Sequence, residues 1–307
     1  MQHCNSCTII TNPTAGRGEA GRSLAKIRKE LGAETTERLT WLFTKGRGDA
    51  EQFAREAVAR GDDLVVAVGG DGTLHEVANG VMGTETAVGL IPFGTGNDLA
   101  RALGLHGNLT RACDAINNGT TISVDVGTVE GAGTNGQRHF LVLAGAGFDS
   151  RTAQTVNEGV KWIGGAAAYV IGAVLTLRNF EPFDLEVTPD GGDTIKTRAM
   201  FVSVANTANT GGGMILAPGA DPTDGLLDIC LVSEVSKPVL LYELTRVFKG
   251  DHVKNPAVRM IRASTVHIQA DPPQPLLIDG EVLGTTPLKI GIMPGALKMR
   301  VPRDATQ

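Results

Sequence analysis

Cysteine is scarce, and its spacing excludes the chemistry it most often signals. The chain has four cysteines, of which only Cys4 and Cys7 form a CxxC. A zinc centre wants four ligands; there is no second pair, and His3 is too close to complete a tetrahedron. The CxxC lies before or in the first predicted strand, not at the start of a helix, so a redox motif is also disfavoured. The thiols read as free groups in a reducing compartment, with Cys113 and Cys230 isolated and buried. Positive charge is in deficit as well, 28 Lys and Arg against 33 Asp and Glu, a net −5 that argues against a general nucleic-acid binder. Long apolar runs are missing. The most membrane-like stretch, Trp162 to Leu177, is shorter than the roughly 18–20 residues a spanning helix needs and is rich in Gly and Ala. It reads as a buried or groove-lining helix. The N-terminus shows neither a basic n-region nor a long apolar h-region, so a cytoplasmic protein is expected. Aromatics are only 4%, whereas glycine, at 40 of 307 residues, is nearly twice its usual share. Many strand–loop–helix junctions explain that glycine better than disorder, because the apolar runs are well formed and evenly spread.

What is present is organised around Asp62 to Met82. Leu64 to Val68 is an unbroken apolar run that suits a strand covered on both faces. Gly69-Gly70-Asp71-Gly72 cannot continue it. Leu74, Val77, Ala78 and Val81 then recur at helical spacing, and Thr73 with Glu76 has capping-box spacing at the helix start. Such a junction favours an anion, since the first helical turn offers bare N–H groups and the positive dipole end. Asp71 in its middle would repel a phosphate, which suggests a divalent cation between them.

Before it, Thr8 to Thr11 is a first strand, and Asn12 to Gly18 leads into a helix from about Glu19 to Leu31. Gly16, Gly18 and Gly21 match GxGxxG, yet the second strand, Thr40 to Phe43, ends in Thr44-Lys45-Gly46-Arg47 with no carboxylate to hold a ribose. A phosphate loop with Arg17, Lys45 and Arg47 nearby fits better than a dinucleotide fold. Helices are expected over Asp49–Arg60, Leu99–Leu103 and Leu109–Asn117, with strands Ala87–Pro92 and Ile122–Gly127. Asn97 or Asp98 is the expected cap in the second glycine loop. The alternation predicts a doubly wound parallel sheet whose ligand sits at the carboxyl ends of the strands. Past residue 127 the character changes. Apart from helical segments at Thr152–Arg178 and Lys237–Gly250, short strands with Gly, Pro and Asp turns suggest an antiparallel β-sandwich. The predicted division is an α/β domain over 1–127 and a β-rich domain over 128–296.

Four stretches in this order resemble one superfamily: NPTAG at Asn12–Gly16, GGDGT at Gly69–Thr73, GTGND at Gly94–Asp98 and DGE at Asp279–Glu281. With GGGM-x-x-AP at Gly211–Pro218, they look like the diacylglycerol kinase catalytic domain. That superfamily includes sphingosine and ceramide kinases and, more distantly, NAD kinases and phosphofructokinases. The likeness is to the soluble bacterial lipid kinases and covers nearly the whole chain. It implies an active site in a cleft between the two domains, and a last strand, here Leu297–Pro302 within 297–307, that returns to the first domain. ATP is implied on Asn12, Thr14, Gly16, Arg17, Thr44, Gly70, Asp71, Gly72, Thr73, Glu76 and Thr95. Mg²⁺ is implied near the phosphates through Asp71, Asp98 and Asp125, partly by way of water. The resemblance makes Glu281 the base and Asp279 its orienting or polarising partner, although Asp279-Gly280 is by itself a good hairpin turn. A second, structural Mg²⁺ is implied at Asp221, Asp224 and Leu226, the first and last through main-chain carbonyls. The sequence departs from the pattern there, with Pro222 followed by Thr223 where many members have a second Asp.

The expected reaction is ATP-dependent phosphorylation of diacylglycerol or a similar lipid alcohol. The expected partners are that lipid and, transiently, a membrane surface, with no nucleic acid. A homodimer is left open. The acceptor groove is expected along Ile163–Leu177 and Gly211–Met214, and the basic run Arg246, Lys249, Lys254, Arg259 and Arg262 against anionic headgroups. The competing readings are a kinase of a soluble acceptor such as NAD, or a non-catalytic nucleotide-sensing module.

Overall fold

The computed structural model describes residues 6–32, 39–134, 136–156 and 165–306. The chain forms two compact units, Met1–Val124 with Gly295–Gln307, and Asp125–Pro294. Cys4, Trp162 and Ile163 lie outside the described residues.

In the first unit the chain runs β1 (Cys7–Thr11), α1 (Ala15–Arg22), α2 (Leu24–Leu31), β2 (Leu39–Phe43), α3 (Asp49–Arg60), β3 (Leu64–Gly69), α4 (Asp71–Val81), β4 (Ala87–Pro92), α5 (Asp98–Ala102) and α6 (Leu109–Asn118). β1 and β3 are buried along their whole length, as strands covered by helices on both faces must be, and β3 is an unbroken apolar run. Strands β1 to β4 pair in parallel in the order β4-β3-β1-β2. The order reverses between β1 and β3, so the crevice at their carboxyl ends is the topological switch point where such sheets hold ligands.

The expected single helix from Glu19 is two pieces. α1 begins at Ala15, but Gly16, Arg17 and Gly18 all have left-handed backbone (φ 60, 58 and 84°), and the chain kinks again at Ser23. The predicted capping box at Thr73 and Glu76 is not formed. Helix α4 starts three residues earlier, with Gly70 in the cap position, which places Thr73 inside the first turn.

β5 (Thr120–Ala132) carries the chain into the second unit and is longer than expected. There follow β6 (Arg138–Phe140), β7 (Leu143–Gly147), α7 (Phe148–Thr155), α8 (Gly165–Asn179), β8 (Phe183–Pro189), β9 (Ile195–Ala205), β10 (Asn209–Thr210), β11 (Met214–Ile215) and β12 (Leu227–Ser233). The chain ends with α9 (Lys237–Arg246), two short 3₁₀ turns, β13 (Val258–Ala263), β14 (Thr265–Asp271), β15 (Pro275–Ile278) and β16 (Glu281–Val301). The strand expected over His139–Ala144 is broken at Leu141–Val142. The two strands expected after Val282 are one, β16, whose end returns to the first unit beside β4 with Met299 opposite Val88 in parallel.

The antiparallel pairs β9–β7, β7–β15, β15–β16, β16–β14, β14–β8 and β8–β9 close a ring. The sheet of the second unit is therefore a closed, sandwich-like barrel, with β12 and β13 added at β9. Its alternating residues, such as Val187, Val202, Ile268 and Ile290, are fully buried. Phe148, Phe180 and Phe183 stack edge to face at 5.3 and 6.5 Å, which seats α7 against the barrel. Helix α8 is buried on one side only: Ala173 and Leu177 face inward, whereas Val170, Ile171, Val174 and Leu175 are exposed.

Candidate active site

Three loops meet at the carboxyl ends of β1, β3 and β4. The Asn12 side chain folds its own loop, with Oδ1 accepting from the Thr14 N–H (3.1 Å) and hydroxyl (2.8 Å), while Nδ2 donates to Thr73 Oγ1 at 3.4 Å. That last bond spans the switch point. The loop after it approaches β4's loop closely, since a Cβ on Gly16 would lie 2.5 Å from the Phe93 carbonyl oxygen.

The loops after β3 and β4 are built on one another. A Cβ on Gly94 would lie 2.7 Å from Gly70 Cα. Asn97, with φ 53°, clamps its loop by accepting from Gly94 N at 2.8 Å and donating to Gly94 O at 2.7 Å. Asp71 reaches across from the preceding loop. Its Oδ2 accepts from Asn97 N at 2.7 Å and its Oδ1 from Asp98 N at 3.0 Å, so Asp71 caps α5 from 26 residues away. Asp98 is buried beside it. Both carboxylates crowd Gly96, where a Cβ would sit 2.7 Å from Asp71 Oδ2 and 3.3 Å from Asp98 Oδ2. Gly72 has nothing within 4 Å of its Cβ position, so the loop is open on that side.

The other predicted contacts of this unit are placed as follows. Thr44 follows β2, its N–H bonded to Thr11 O at 2.9 Å. The next turn is held by Asp49, which accepts from Lys45 N and Gly46 N at 2.7 and 2.9 Å; these bonds draw its pKa down. Thr95 is exposed at the loop tip. Glu76 Oε2 accepts from Ala50 N at 3.1 Å and so caps α3, one orphan donor at the start of that helix.

In the second unit, Asp279 and Gly280 form the two-residue turn between β15 and β16. Both have positive φ, 43° and 89°, as a type I′ hairpin needs. Asp279 does more than turn the chain. Its Oδ1 accepts from Val142 N and Leu143 N at 3.0 Å each and its Oδ2 from Leu141 N at 2.7 Å. This is why β6 and β7 are separated: their linker spends its N–H groups on Asp279. Glu281 opens β16, opposite Ile278, and is exposed.

Residues 6–129 match the Diacylglycerol kinase catalytic domain, and residues 142–301 match the YegS C-terminal NAD kinase beta sandwich-like domain. The Mycobacterium tuberculosis (strain ATCC 25618 / H37Rv) diacylglycerol kinase is 33% identical over 302 residues, covering 96% of this chain and 95% of its own. The chain belongs to the bacterial diacylglycerol/lipid kinase family. The Bacillus subtilis (strain 168) diacylglycerol kinase is 31% identical over 91% of this chain and 90% of its own. A crystal structure of a Bacillus anthracis str. Sterne diacylglycerol kinase aligns over 99% of this chain and 100% of its own, with TM-score 0.76 and 26% identity. These are ATP-dependent lipid kinases as a family, and no described helix here is long and apolar enough to cross a membrane.

For a family of ATP-dependent kinases the pair Asp71 and Asp98 has the right chemistry. Mg²⁺ in such sites takes one or two carboxylates and completes its shell with phosphate oxygens and water. The missing side chain at Gly96 leaves the space beside both carboxylates unfilled. Asp125, the third expected acid, belongs to the second unit by its contacts: its Oδ2 accepts from Gly225 N at 2.7 Å, and its N–H donates to Pro222 O at 2.7 Å. Among the described residues, no three His, Cys, Asp or Glu side chains are grouped as a metal site by themselves.

The loop expected to hold a structural Mg²⁺ is tied to its surroundings by side-chain bonds. Asp221 Oδ1 is taken by the Thr223 N–H (3.0 Å) and hydroxyl (2.7 Å). Asp224 Oδ1 accepts from Leu226 N at 3.0 Å, and its Oδ2 is held by the guanidinium of Arg262, which also lies 3.5 Å from Asp228 Oδ2. A guanidinium thus faces Asp224 and Asp228. Neither this ion pair nor the residues Arg101 and His106 were evident in the sequence. Arg101 lies on α5, one turn beyond Asp98, with its Nε buried and without a hydrogen-bond partner. The His106 pKa is lowered, by desolvation first and by Arg101 next, while Asp71 opposes.

Proposed function

We propose that the protein transfers the γ-phosphoryl group of ATP to the hydroxyl of diacylglycerol or a similar lipid alcohol. Phosphoryl transfer asks a protein mainly for positioning and charge neutralisation. The observation that carries the donor half is the Asp71–Asp98 pair around Gly96, at the mouth of a switch point lined by glycine loops. On this reading Asp71 and Asp98 hold a nucleotide-bound Mg²⁺, which when present neutralises phosphate charge. The backbone of the three loops cradles the phosphates, with Asn12, Thr14, Gly16, Arg17, Thr44, Thr73 and Thr95 as contacts. Glu76 acts from behind, by fixing the start of α3.

For the acceptor half, the reading makes Glu281 the general base. Its carboxylate takes the proton as the lipid oxygen bonds to γ-phosphorus, and the bond to the bridging oxygen breaks with ADP as leaving group. Exposure at the first position of β16, next to a turn pinned by three N–H bonds to Asp279, supports that role. Asp279 then positions the base instead of touching substrate.

The test is γ-labelled ATP offered with a panel of lipid alcohols and with NAD, with and without Mg²⁺. Label is expected in a lipid phosphate only when Mg²⁺ is present; label in NAD alone would overturn the acceptor. Glu281→Gln is expected to bind ATP nearly normally and to lose on the order of 10²–10⁴ in turnover. Undiminished transfer would remove Glu281 from the mechanism.

A further inference from the structure

Two residues hold the linker between β6 and β7. The N–H groups of Leu141, Val142 and Leu143 donate to the Asp279 carboxylate, and the Asp279 N–H donates back to Leu143 O at 3.0 Å. The other two carbonyls go to Asn206, which directly follows β9. Its N–H donates to Val142 O at 2.8 Å and its Nδ2 to Leu141 O at 3.0 Å. The second hydrogen of Nδ2 goes to Asp125 O on β5 at 2.9 Å. Asn206 is fully buried, and its Oδ1 has no hydrogen-bond partner among the described residues.

The orientation of that amide is forced. Turned over, it would set Oδ1 against two carbonyl oxygens and lose both bonds. A buried acceptor without a protein partner calls for a reason, and here both donors of the same amide are committed. A ladder offered a plainer solution. β5 and β6 pair as far as Gly127 opposite Phe140, and the same register would carry Asp125 to Val142. Instead the linker turns its N–H groups to Asp279, and Asn206 bridges to β5. The anchor there is itself fixed: the Asp125 N–H donates to Pro222 O and its carboxylate accepts from Gly225 N, each at 2.7 Å. At the far side of the linker lies the turn that leads into Glu281. The register Val204–Ala144–Ile278–Glu281 runs across β9, β7, β15 and β16, so Asn206, two residues past Val204, stands at the same end of the barrel as that turn.

We propose that Asn206 is a positioning residue for phosphoryl transfer. Its amide locks residues 141–143 onto Asp125, those residues lock Asp279, and Asp279 fixes the start of β16, where Glu281 takes the acceptor's proton. Asn206 acts through this chain of bonds and sets where the base stands. A misplacement of about 1 Å at such a group can cost on the order of 10²-fold in rate. The inference rests on the reading of Glu281 as the base and adds what holds that base in place.

The test is a double-mutant cycle between Asn206→Ala and Glu281→Gln. Turnover is measured with γ-labelled ATP on whichever alcohol accepts label, at a temperature where circular dichroism shows each variant folded. Asn206→Ala is expected to lower kcat about tenfold or more and to leave KM for Mg·ATP within about threefold. In the Glu281→Gln background the same change should cost no more than about twofold, because the base that Asn206 positions is already gone. Asn206→Ser keeps one donor of two and should fall between alanine and the unaltered protein; it carries the cycle if the alanine variant does not fold. Equal fractional losses in both backgrounds overturn the proposal and leave Glu281 as the base, and so does a kcat unchanged in the folded Asn206 variants. Undiminished turnover in Glu281→Gln alone would instead remove the base reading, and the role of Asn206 with it.

Discussion

Gly96 is the residue on which the donor site depends most directly. An alanine there places a methyl group 2.7 Å from Asp71 Oδ2, inside the space the two carboxylates face. That methyl also strikes the carboxylate that caps α5, so Gly96→Ala should lower the thermal midpoint and weaken Mg·ATP binding tenfold or more; calorimetric titration of Mg·ATP checks the binding. Asp149 makes a different prediction. Burial pushes its carboxyl up to about 6 from 3.8, against hydrogen bonds from Ser203 and from the Ser150 N–H that act to lower it. The native state therefore holds this proton more tightly than the unfolded chain. Its contribution is fully present below about pH 4 and is lost as pH rises through 6, by at most about 3 kcal/mol. Asp149→Asn should flatten the dependence of the melting midpoint on pH between 4 and 7. An unchanged slope would show that another group carries it.

At the scale of elements, the loop over residues 221–226 and strand β13 are tied by Arg262 where the family pattern suggests a divalent ion. Arg262→Ala leaves Asp224 and the buried Asp228 facing each other without a cation, and should destabilise the second unit by about 1–3 kcal/mol, read from denaturant midpoints. Asp228, whose pKa burial already raises, would rise further in that variant. No local signal announced this tie, because VRMIRA alternates bases with apolar residues and reads as a basic run instead of a strand. Elements whose burial and period agree were legible: α3 spans the residues its Gly48 and Gly61 flanks suggest, and β4 and β9 fall where their apolar runs lie. Elements set by distant partners were not. The break at Leu141–Val142 answers to Asp279, more than 130 residues on, and the start of α5 to Asp71. The family was legible in four short motifs because each is a loop whose backbone geometry demands its glycines. That Asp71 and Asp279 are also backbone anchors was invisible for the same reason that their spacing was informative: sequence shows residue type, not the N–H groups it meets.

For the whole molecule, the consequential feature is that the first unit is discontinuous. Its sheet is completed by the far end of β16, where Met299 is fully buried and lies opposite Val88 on β4. Residues 1–124 alone would leave the β4 edge open and its apolar partners exposed. Such a fragment is expected to aggregate, and rejoining residues 295–307 through a flexible linker should restore a soluble, cooperatively melting protein. A soluble 1–124 fragment with a sharp melt would contradict this. During synthesis, the polypeptide that emerges first cannot close its own sheet until roughly 170 further residues have been made, about ten to thirty seconds at ordinary elongation rates. The barrel, which is contiguous, has everything it needs sooner. The nascent chain should therefore mature from its middle outward, with the first unit left incomplete until the last strand arrives.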